Sequence, residues 1–346
     1  MKLQIDNEYM LQCFEKLVKT PSPVGYYTEI NPVVESLAKE LGYTVTYDRK
    51  HTVYIELEGE NNDKTVMVGG HLDTLGLMVR RVQNDGTLLV RQLGGLNHAS
   101  AEGETVTIHT RTGKTYTGLY TCQSHSVHVF DDAKTRSREG DNMMIILDEE
   151  VKTKEEVNAL GIRHGDVVSI DPHYSTTANG YIKSRFIDDK GAVAAMFGML
   201  KYLVDHNIKP KYRTLLSFPH YEEIGHGGAY IPPEVEEFIA VDIGLIGPDY
   251  DGHERGVSIG CQDALTHYDW DLTNKLIDKA EKAACDYAVD IYYRYSTDGA
   301  AAVKAGNNVA TAVCGMAVYC THGVERGHIL GFEETAKLLT AYVMDL

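Results

Sequence analysis

Apolar positions in this chain follow two different spacings, and segments of the two kinds alternate. The N-terminal segment has helical spacing, with Met10, Phe14 and Leu17 on one face and Asp6 or Asn7 placed to cap the helix. The runs TVMVGG, TLLSF and FIAVDIGLIG are short and almost continuously apolar, which is typical of strands buried on both faces. Strands of this kind alternating with helices predict an α/β fold, with a mostly parallel sheet flanked by helices.

The pattern changes between residues 76 and 172. Short strand-like runs such as TLLVRQL and TYTGLYT are separated by Gly, Asn and Asp turns, and the only clear helical pattern is the short TKEEVNALG. This pattern of short strands and turns predicts a small, all-β, barrel-like domain. The predicted organisation is therefore an α/β domain of residues 1–75 and 173–346, with the β-domain of residues 76–172 inserted in it.

Composition narrows the classes of partner. The chain has 346 residues and a formal net charge of −17, which argues against nucleic acid and anionic membranes as partners. No run approaches about 18 uncharged apolar residues, so no membrane-spanning helix is expected. Six cysteines without a CxxC pair indicate free thiols rather than a disulfide framework, and a cytoplasmic location is the resulting expectation.

Histidine and carboxylate side chains follow several of the predicted strands. Because ligands in open α/β sheets bind beyond the carboxyl ends of the strands, we expect these side chains to converge there. Asp242 supports this most strongly, since it lies in an otherwise apolar run where an unpaired carboxylate is costly. The candidate residues are His71, Asp73, Asp188, Glu222, Glu223, Asp242 and His322.

Convergence of so many carboxylates requires compensating positive charge. Two carboxylates about 4 Å apart repel by roughly 4 kcal/mol at an effective dielectric constant of 20. Two divalent cations would remove this conflict, and paired metal ions are known in aminopeptidases. Mixed histidine and carboxylate ligands suit zinc, cobalt or manganese better than calcium or magnesium.

Several motifs in this order resemble one known family. The motifs are PSPVGYY, GHLDTLGLMV, SRFIDDKGA, YEEIGHGG, AVDIG, YSTDGAAA and CTHGVERG. They are similar to those of the cobalt- or zinc-dependent metallo-aminopeptidases of the glutamyl and tetrahedral aminopeptidase type. The resemblance spans nearly the whole chain and implies an enzyme that removes N-terminal residues from peptides with a free amino terminus.

The resemblance also implies a role for each ligand. Asp188 would bridge two metal ions. His71 and Asp242 would complete one site, and Glu223 and His322 would complete the other. The implied cofactors are thus two divalent ions per subunit, zinc or cobalt in the first place, with manganese also suited.

Two further roles and an assembly come with the same resemblance. Asp73 would orient His71, and Glu222 would act as the general base that takes a proton from metal-activated water and returns it to the leaving amine. Similar proteins form dimer-based homo-oligomers, often dodecamers, in which the β-domain serves dimer contacts and substrate access. The chain departs from the family pattern at Thr74, Lys190 and Gly323, so substrate specificity is not transferred.

Other reaction classes stay open at this stage. GVSIG matches the nucleophile elbow of serine hydrolases and contains Ser258, but the flanking segments lack the required strand and helix. Paired carboxylates also suit an endoglucanase-like glycoside hydrolase, which would leave His71 and His322 unused. A non-catalytic metal-binding protein would have no need for Glu222.

Three other polar residues have structural interpretations that require no role in catalysis. Asp298 is placed to cap a helix. His125 and His128 are expected on the surface of the β-domain, where they could alternatively approach the active site of a neighbouring subunit.

Overall fold

The structure, a computed structural model, describes residues 3–346. The chain forms two compact units. Unit 1 comprises the chain up to Asp73 together with His173–Leu346, and unit 2 comprises Thr74–Pro172.

Helices and strands alternate in unit 1, whereas strands dominate unit 2. The helices are α1 (Asn7–Val18), α2 (Ile30–Glu40), α3 (His98–Ala101), α4 (Lys154–Leu160), α5 (Ile187–Asp205), α6 (Trp270–Ala283), α7 (Asp298–Lys304) and α8 (Ile329–Met344). The strands are β1 (Val45–Tyr47), β2 (Val53–Leu57), β3 (Asn61–Gly69), β4 (Gly76–Val82), β5 (Leu88–Leu93), β6 (Thr105–His109), β7 (Thr115–Cys122), β8 (Met143–Leu147), β9 (Val167–Ile170), β10 (Ser175–Thr176), β11 (Tyr181–Ser184), β12 (Tyr212–Phe218), β13 (Val235–Val241), β14 (Gly244–Leu245), β15 (Val257–Gln262), β16 (Tyr287–Ile291), β17 (Ala310–Val318) and β18 (Glu325–His328).

A mostly parallel sheet forms the centre of unit 1. Its strand order is β1-β2-β12-β3-β13-β17-β15-β16, with β14 pairing beside β17. The four central strands β12, β3, β13 and β17 are parallel, and antiparallel pairs flank them at β2–β12 and β15–β17. The central strands are apolar because both of their faces are buried, as the continuous apolar runs predict.

Amphipathic and largely buried helices cover this sheet. Helix α1 buries Met10, Phe14 and Leu17, and the Asp6 carboxylate caps it by accepting the Tyr9 N–H at 2.9 Å. Helix α5 is buried along most of its length and packs against α1 and α8. The predicted helical segments are thus present.

Unit 2 is a closed barrel with the strand order β4-β5-β8-β7-β6-β9. Alternate residues point inward, among them Val90, Val106, Ile108 and Ile145, all at most 2% exposed. A six-stranded barrel of this size is filled by side chains rather than open. The predicted α/β fold with an inserted, barrel-like β-domain is confirmed.

Two segments form shorter strands than their sequence patterns predict. FIAVDIGLIG is divided, because β13 ends at Val241 and β14 begins at Gly244. The alternating segment VDIYYRYS, which also has the pattern of a strand, forms one only as far as Ile291, and its later tyrosines lie in the following loop. The first difference matters most, because it places Asp242 just beyond the end of a strand.

The cysteines and the helices agree with the compositional expectations. All six cysteines are free. Among residues 3–346, no helix has both the length and the apolar character needed to cross a membrane.

One glycine of β17 is required by close backbone approach. A Cβ atom at Gly315 would lie 1.9 Å from the Asp242 carbonyl oxygen, because the Asp242 N–H already donates to Cys314 of the same strand. Gly315→Ala should therefore lower the free energy of unfolding by about 1–3 kcal/mol through overpacking. Urea unfolding followed by circular dichroism measures the effect.

The matched control is Gly140→Ala in unit 2. A Cβ atom at Gly140 would meet only the His98 ring, at 3.5 Å or more, which is ordinary contact. This variant should keep the stability of the parent chain. Equal losses in the two variants would contradict the steric explanation.

Candidate metal centre

Three neighbouring strands end at one edge of the central sheet. In their parallel register, Val68 of β3 lies opposite Leu216 of β12 and Ile239 of β13. The segments that leave these strands therefore start side by side. They carry His71 after β3, Glu222 and Glu223 after β12, and Asp242 after β13.

Two irregular segments supply Asp188 and His322. Asp188 belongs to a non-helical start of α5, which follows Phe186 in a left-handed backbone conformation with φ 67°. His322 lies in a turn after β17 and also has a positive φ, of 62°. Every one of the seven candidate residues lies in unit 1.

The Asp188 carboxylate lies between the two histidines. Its Oδ1 is 3.1 Å from His71 Nε2, and its Oδ2 is 3.6 Å from His322 Nε2. Glu222 Oε2 approaches His71 Nε2 at 3.6 Å, and Glu223 Oε2 approaches His322 Nε2 at 3.7 Å. One carboxylate thus serves two separate histidine–glutamate pairs.

The donor atoms are close enough for cations. Within residues 3–346, three sets have ligand atoms that all lie within 4.8 Å of one another. The sets are His71 with Asp188 and Glu223, His71 with Glu222 and Asp242, and Asp188 with Asp189 and Asp242. His71, Asp188 and Asp242 are buried, so this density of oxygen and nitrogen donors fits divalent ions rather than a solvated acidic surface.

Burial of these carboxyl groups changes their protonation. Burial, with added repulsion from Asp188, raises the pKa of Asp242 to about 8. Burial and neighbouring carboxylates raise the pKa values of Glu222 and Glu223 well above the usual range. Burial alone would lower the pKa of His71, but its contacts with Asp188 and Asp73 raise it. Without cations, the cluster therefore retains protons that bound ions would displace.

Asp73 contacts both His71 and the turn that carries the two glutamates. His71 Nδ1 lies 2.9 Å from the Asp73 main-chain oxygen and 3.5 Å from its carboxylate. The carboxylate also accepts the main-chain N–H groups of Glu222 at 3.1 Å and Glu223 at 3.2 Å. Asp73 therefore contacts His71 through its carbonyl and holds the glutamate turn through its side chain.

Two further buried carboxylates hold the backbone of proposed ligands, a role that the sequence alone does not indicate. Asp189 Oδ2 accepts the His71 N–H at 3.0 Å. Glu325 accepts the N–H groups of Asp188 at 3.0 Å and of His322 at 3.3 Å. The only signal in the sequence is their proximity to ligands, since Asp189 follows Asp188 and Glu325 lies three positions after His322.

Tyr295 is a further site residue, although its place in the alternating segment VDIYYRYS would by itself predict packing in a sheet. Its hydroxyl donates to the Ile243 main-chain oxygen at 3.0 Å, and burial together with the nearby Asp242 raises the pKa of that hydroxyl. Only Tyr292 of the neighbouring tyrosines is fully buried in the core. Tyr295 thus forms part of the wall beside Asp242.

Asp298 does not cap its helix as predicted. Thr297 is the cap of α7, because its hydroxyl accepts the Gly299 N–H at 3.1 Å. The buried Asp298 carboxylate instead accepts the Gly228 N–H at 2.5 Å. Burial raises the pKa of Asp298 to about 6.

The geometry does not favour Ser258 as a nucleophile. Ser258 lies within β15, not in a turn between a strand and a helix, and it is 1% exposed. Its hydroxyl donates to Asp290 at 2.5 Å and contacts the Tyr292 hydroxyl at 2.6 Å. A serine nucleophile needs a base such as histidine beside it, which these contacts do not provide.

His125 and His128 lie in the segment between β7 and β8 of unit 2, and both are exposed. The His125 ring packs against Phe130 with ring centroids 5.2 Å apart. Their approach to a neighbouring subunit remains a prediction.

Comparison with known proteins places these features in one family. The family described as M42 glutamyl aminopeptidase matches residues 52–338. The chain is 38% identical over 334 residues to YhfE of Bacillus subtilis (strain 168), covering 96% of both chains. It is 24% identical over 347 residues to a lysyl aminopeptidase of Pyrococcus furiosus, covering 97% of both.

A solved structure shares the fold. The TET1 peptidase of Pyrococcus horikoshii superposes with a TM-score of 0.85 at 23% identity, covering 97% of this chain and 100% of that one. Its structure is described as able to assemble into a tetrahedron or a large octahedral shell.

The retained protons lead to a pH-dependent affinity. Asp242 has its pKa raised to about 8, so it is largely protonated at about pH 6.5 and must lose that proton to bind an ion. The affinity of the ion-free protein for Co²⁺ should therefore rise between about pH 5 and 8, by up to about tenfold per pH unit for each proton displaced. Calorimetric titration in buffers of different ionisation enthalpy counts the released protons.

Asp290→Asn is the matched control for this titration. It removes a buried carboxylate that contacts Ser258 and Asp251 rather than any proposed ligand. It should leave the number of released protons unchanged. An affinity independent of pH over this range would contradict the assignment of Asp242 as a ligand.

Proposed function

We propose a two-metal aminopeptidase reaction for this chain, which belongs to the M42 glutamyl aminopeptidase family. The family assignment supports hydrolysis of peptides from the amino terminus. The proposal adds the number of ions, the residues that hold them and the proton carrier.

The position of Asp188 is the observation that carries the proposal. Its two carboxylate oxygens face His71 and His322 separately, at 3.1 and 3.6 Å. A carboxylate shared in this way suits two ions a few ångströms apart. We assign His71 and Asp242 to one ion and Glu223 and His322 to the other, with Asp188 common to both.

Zinc and cobalt suit this mixture of nitrogen and oxygen ligands best, and manganese is the third candidate. When bound, such ions supply Lewis-acid polarisation of the scissile carbonyl and a more acidic water.

Glu222 is the proposed proton carrier. Its carboxylate belongs to the cluster, 3.6 Å from His71 Nε2, and burial raises its pKa. A carboxyl group with a raised pKa accepts a proton more readily, so Glu222 takes one from the attacking water and returns one to the leaving amine. The Asp73 carboxylate positions Glu222 by accepting its N–H.

The surrounding charge favours substrates with a free amino terminus. Asp242 and Asp298 are buried, the Glu222 side chain is only 12% exposed, and the charges of Asp242 and Asp298 both act to raise the pKa of Glu222. A protonated terminal amine fits this acidic environment better than an acylated terminus does. Relatives are named for different terminal residues, so the preference must be measured on the protein itself.

We also propose a dimer-based homo-oligomer, up to a dodecamer, in the reducing cytoplasm. The related TET1 peptidase assembles into closed shells. Unit 2 would then provide dimer contacts and shape access to the site, and His125 and His128 are its candidates for reaching a neighbouring subunit.

Cleavage of a peptide mixture tests the reaction class. Peptides with free or N-acetylated termini should show one-residue losses from the free termini only, as read by mass spectrometry. A chelator should abolish these losses, and Zn²⁺ or Co²⁺ should restore them. Cleavage that survives chelation, and is lost in Ser258→Ala, would replace this proposal with serine hydrolysis. Release of sugar from a soluble β-glucan in place of peptide cleavage would replace it with glycoside hydrolysis.

Glu222→Gln tests the proton carrier. The amide keeps the size of the side chain but cannot accept a proton, so kcat should fall at least about 100-fold while both ions stay bound. Glu223→Gln is the adjacent control, because it should lose one ion as well as activity. Metal analysis after dialysis separates the two results. Loss of an ion from Glu222→Gln would contradict its assignment as the general base.

A further inference from the structure

Glu325 is a buried carboxylate with no role in the reaction proposed above. It is the first residue of β18, is 1% exposed and pairs in register with Ser184 of β11. Its two oxygens accept different main-chain N–H groups: Oε2 accepts that of Asp188 at 3.0 Å, and Oε1 accepts that of His322 at 3.3 Å. These amides belong to two proposed ligands that are distant in sequence.

We propose that Glu325 is a positioning residue. It sets the spacing between Asp188 and His322, and this spacing creates the binding site for one of the two ions. This inference rests on the proposed function, since it assumes the two-ion centre. We call the ion held by Asp188, Glu223 and His322 the second ion. Glu325 contacts neither this ion nor the substrate in the proposal, because it acts through the two amides.

The second ion depends on Glu325 because His322 is the least buried proposed ligand. Its side chain is 36% exposed. It lies in a turn in which the Gly323 N–H donates to the Cys320 oxygen at 3.0 Å, and both Cys320 and His322 have positive φ. Glu325 joins this turn directly to Asp188, and this link fixes how far the His322 ring lies from the shared carboxylate.

Asp188 belongs to both ion sites, but His71 and Asp242, which belong only to the other one, are held by contacts that do not involve Glu325. The His71 N–H donates to Asp189 at 3.0 Å. Asp242 accepts the Ile243 N–H at 2.7 Å, and its own N–H donates to Cys314 at 3.1 Å. Loss of Glu325 should therefore affect the two ions unequally.

The role requires a carboxylate of this length. A carboxylate offers two acceptor oxygens, and its hydrogen bonds to N–H groups are charge-assisted. Glutamine would turn one acceptor into an NH₂ donor facing an N–H group. Aspartate keeps the charge, but its side chain is one methylene shorter and cannot span both amides.

Equilibrium dialysis of the full chain against Co²⁺, with elemental analysis, measures the effect. The parent protein should bind two ions per subunit. Glu325→Gln should weaken binding of the first ion only slightly, through the shared Asp188, and should bind the second about 10–100-fold more weakly. Raising the Co²⁺ concentration should then restore both the second ion and peptide cleavage, which a general loss of folding would not allow.

Asp263→Asn is the matched control. Asp263 is also a buried carboxylate, and it accepts three main-chain N–H groups, from Leu265 and Thr266 at 2.8 Å and from Thr297 at 3.3 Å. It touches none of the proposed ligands. This variant should bind both ions with the parent affinities, so that a selective loss is attributable to the position of Glu325.

The possible outcomes separate this inference from the proposed function. Unchanged binding of two ions by Glu325→Gln, or equal weakening of both, overturns the positioning role alone. A parent protein that binds fewer than two ions overturns the proposed function and this inference with it. If Glu325→Gln does not fold, as judged by circular dichroism, Glu325→Asp decides the question, since it should show the same selective loss.

Discussion

The structure depends on a concentration of buried negative charge at one edge of a parallel sheet. The common register of β3, β12 and β13 brings the segments after them together, so their carboxylates cannot avoid one another. Burial and mutual repulsion raise the pKa values of Glu222, Glu223 and Asp242. Such an arrangement is stable only if protons or cations compensate the charge. The candidate metal centre is thus an electrostatic consequence of the fold.

The carboxylates divide into two groups with different physical tasks. One group presents oxygens toward the histidines, as Asp188 and Glu223 do. The other group accepts main-chain N–H groups, as Asp73, Asp189 and Glu325 do. Hydrogen bonds from main-chain amides partly offset the cost of burying a carboxylate. The second group therefore fixes the loops on which the first group depends.

The sequence predicts the framework well for a physical reason. Strands buried on both faces need continuous apolar runs, and helices need apolar residues at helical spacing, so both are visible locally. The candidate ligands are visible too, because histidine and carboxylate residues after apolar strands are unusual unless they have a partner. These signals depend only on the order of residue types along the chain, so they can be recognised without knowledge of any tertiary contact.

The contacts that the sequence does not reveal depend on the direction in which a side chain points and on the register between paired strands. Whether the Asp73 carboxylate points at His71 or at the Glu222 amide depends on the turn after β12. The role of Glu325 arises from pairing with β11, which lies far away in the chain. The end of β13 at Val241 was missed because apolar residues continue beyond it into β14. Tyr295 was missed for a similar reason, since its segment continues the alternation of a strand that has already ended.

The backbone contacts of Asp73, Asp189 and Glu325 have an evolutionary consequence. Each of these carboxylates binds a peptide N–H, a group that every residue except proline possesses. Mutation of the proposed ligands at positions 71, 188, 223 or 322 would therefore exchange one side chain for another while the loops keep their anchorage. Because metal preference follows the balance of nitrogen and oxygen ligands, descendants of this fold can change the ion they use one residue at a time. The residues that anchor the loops can therefore stay the same while the residues proposed to bind the ions change.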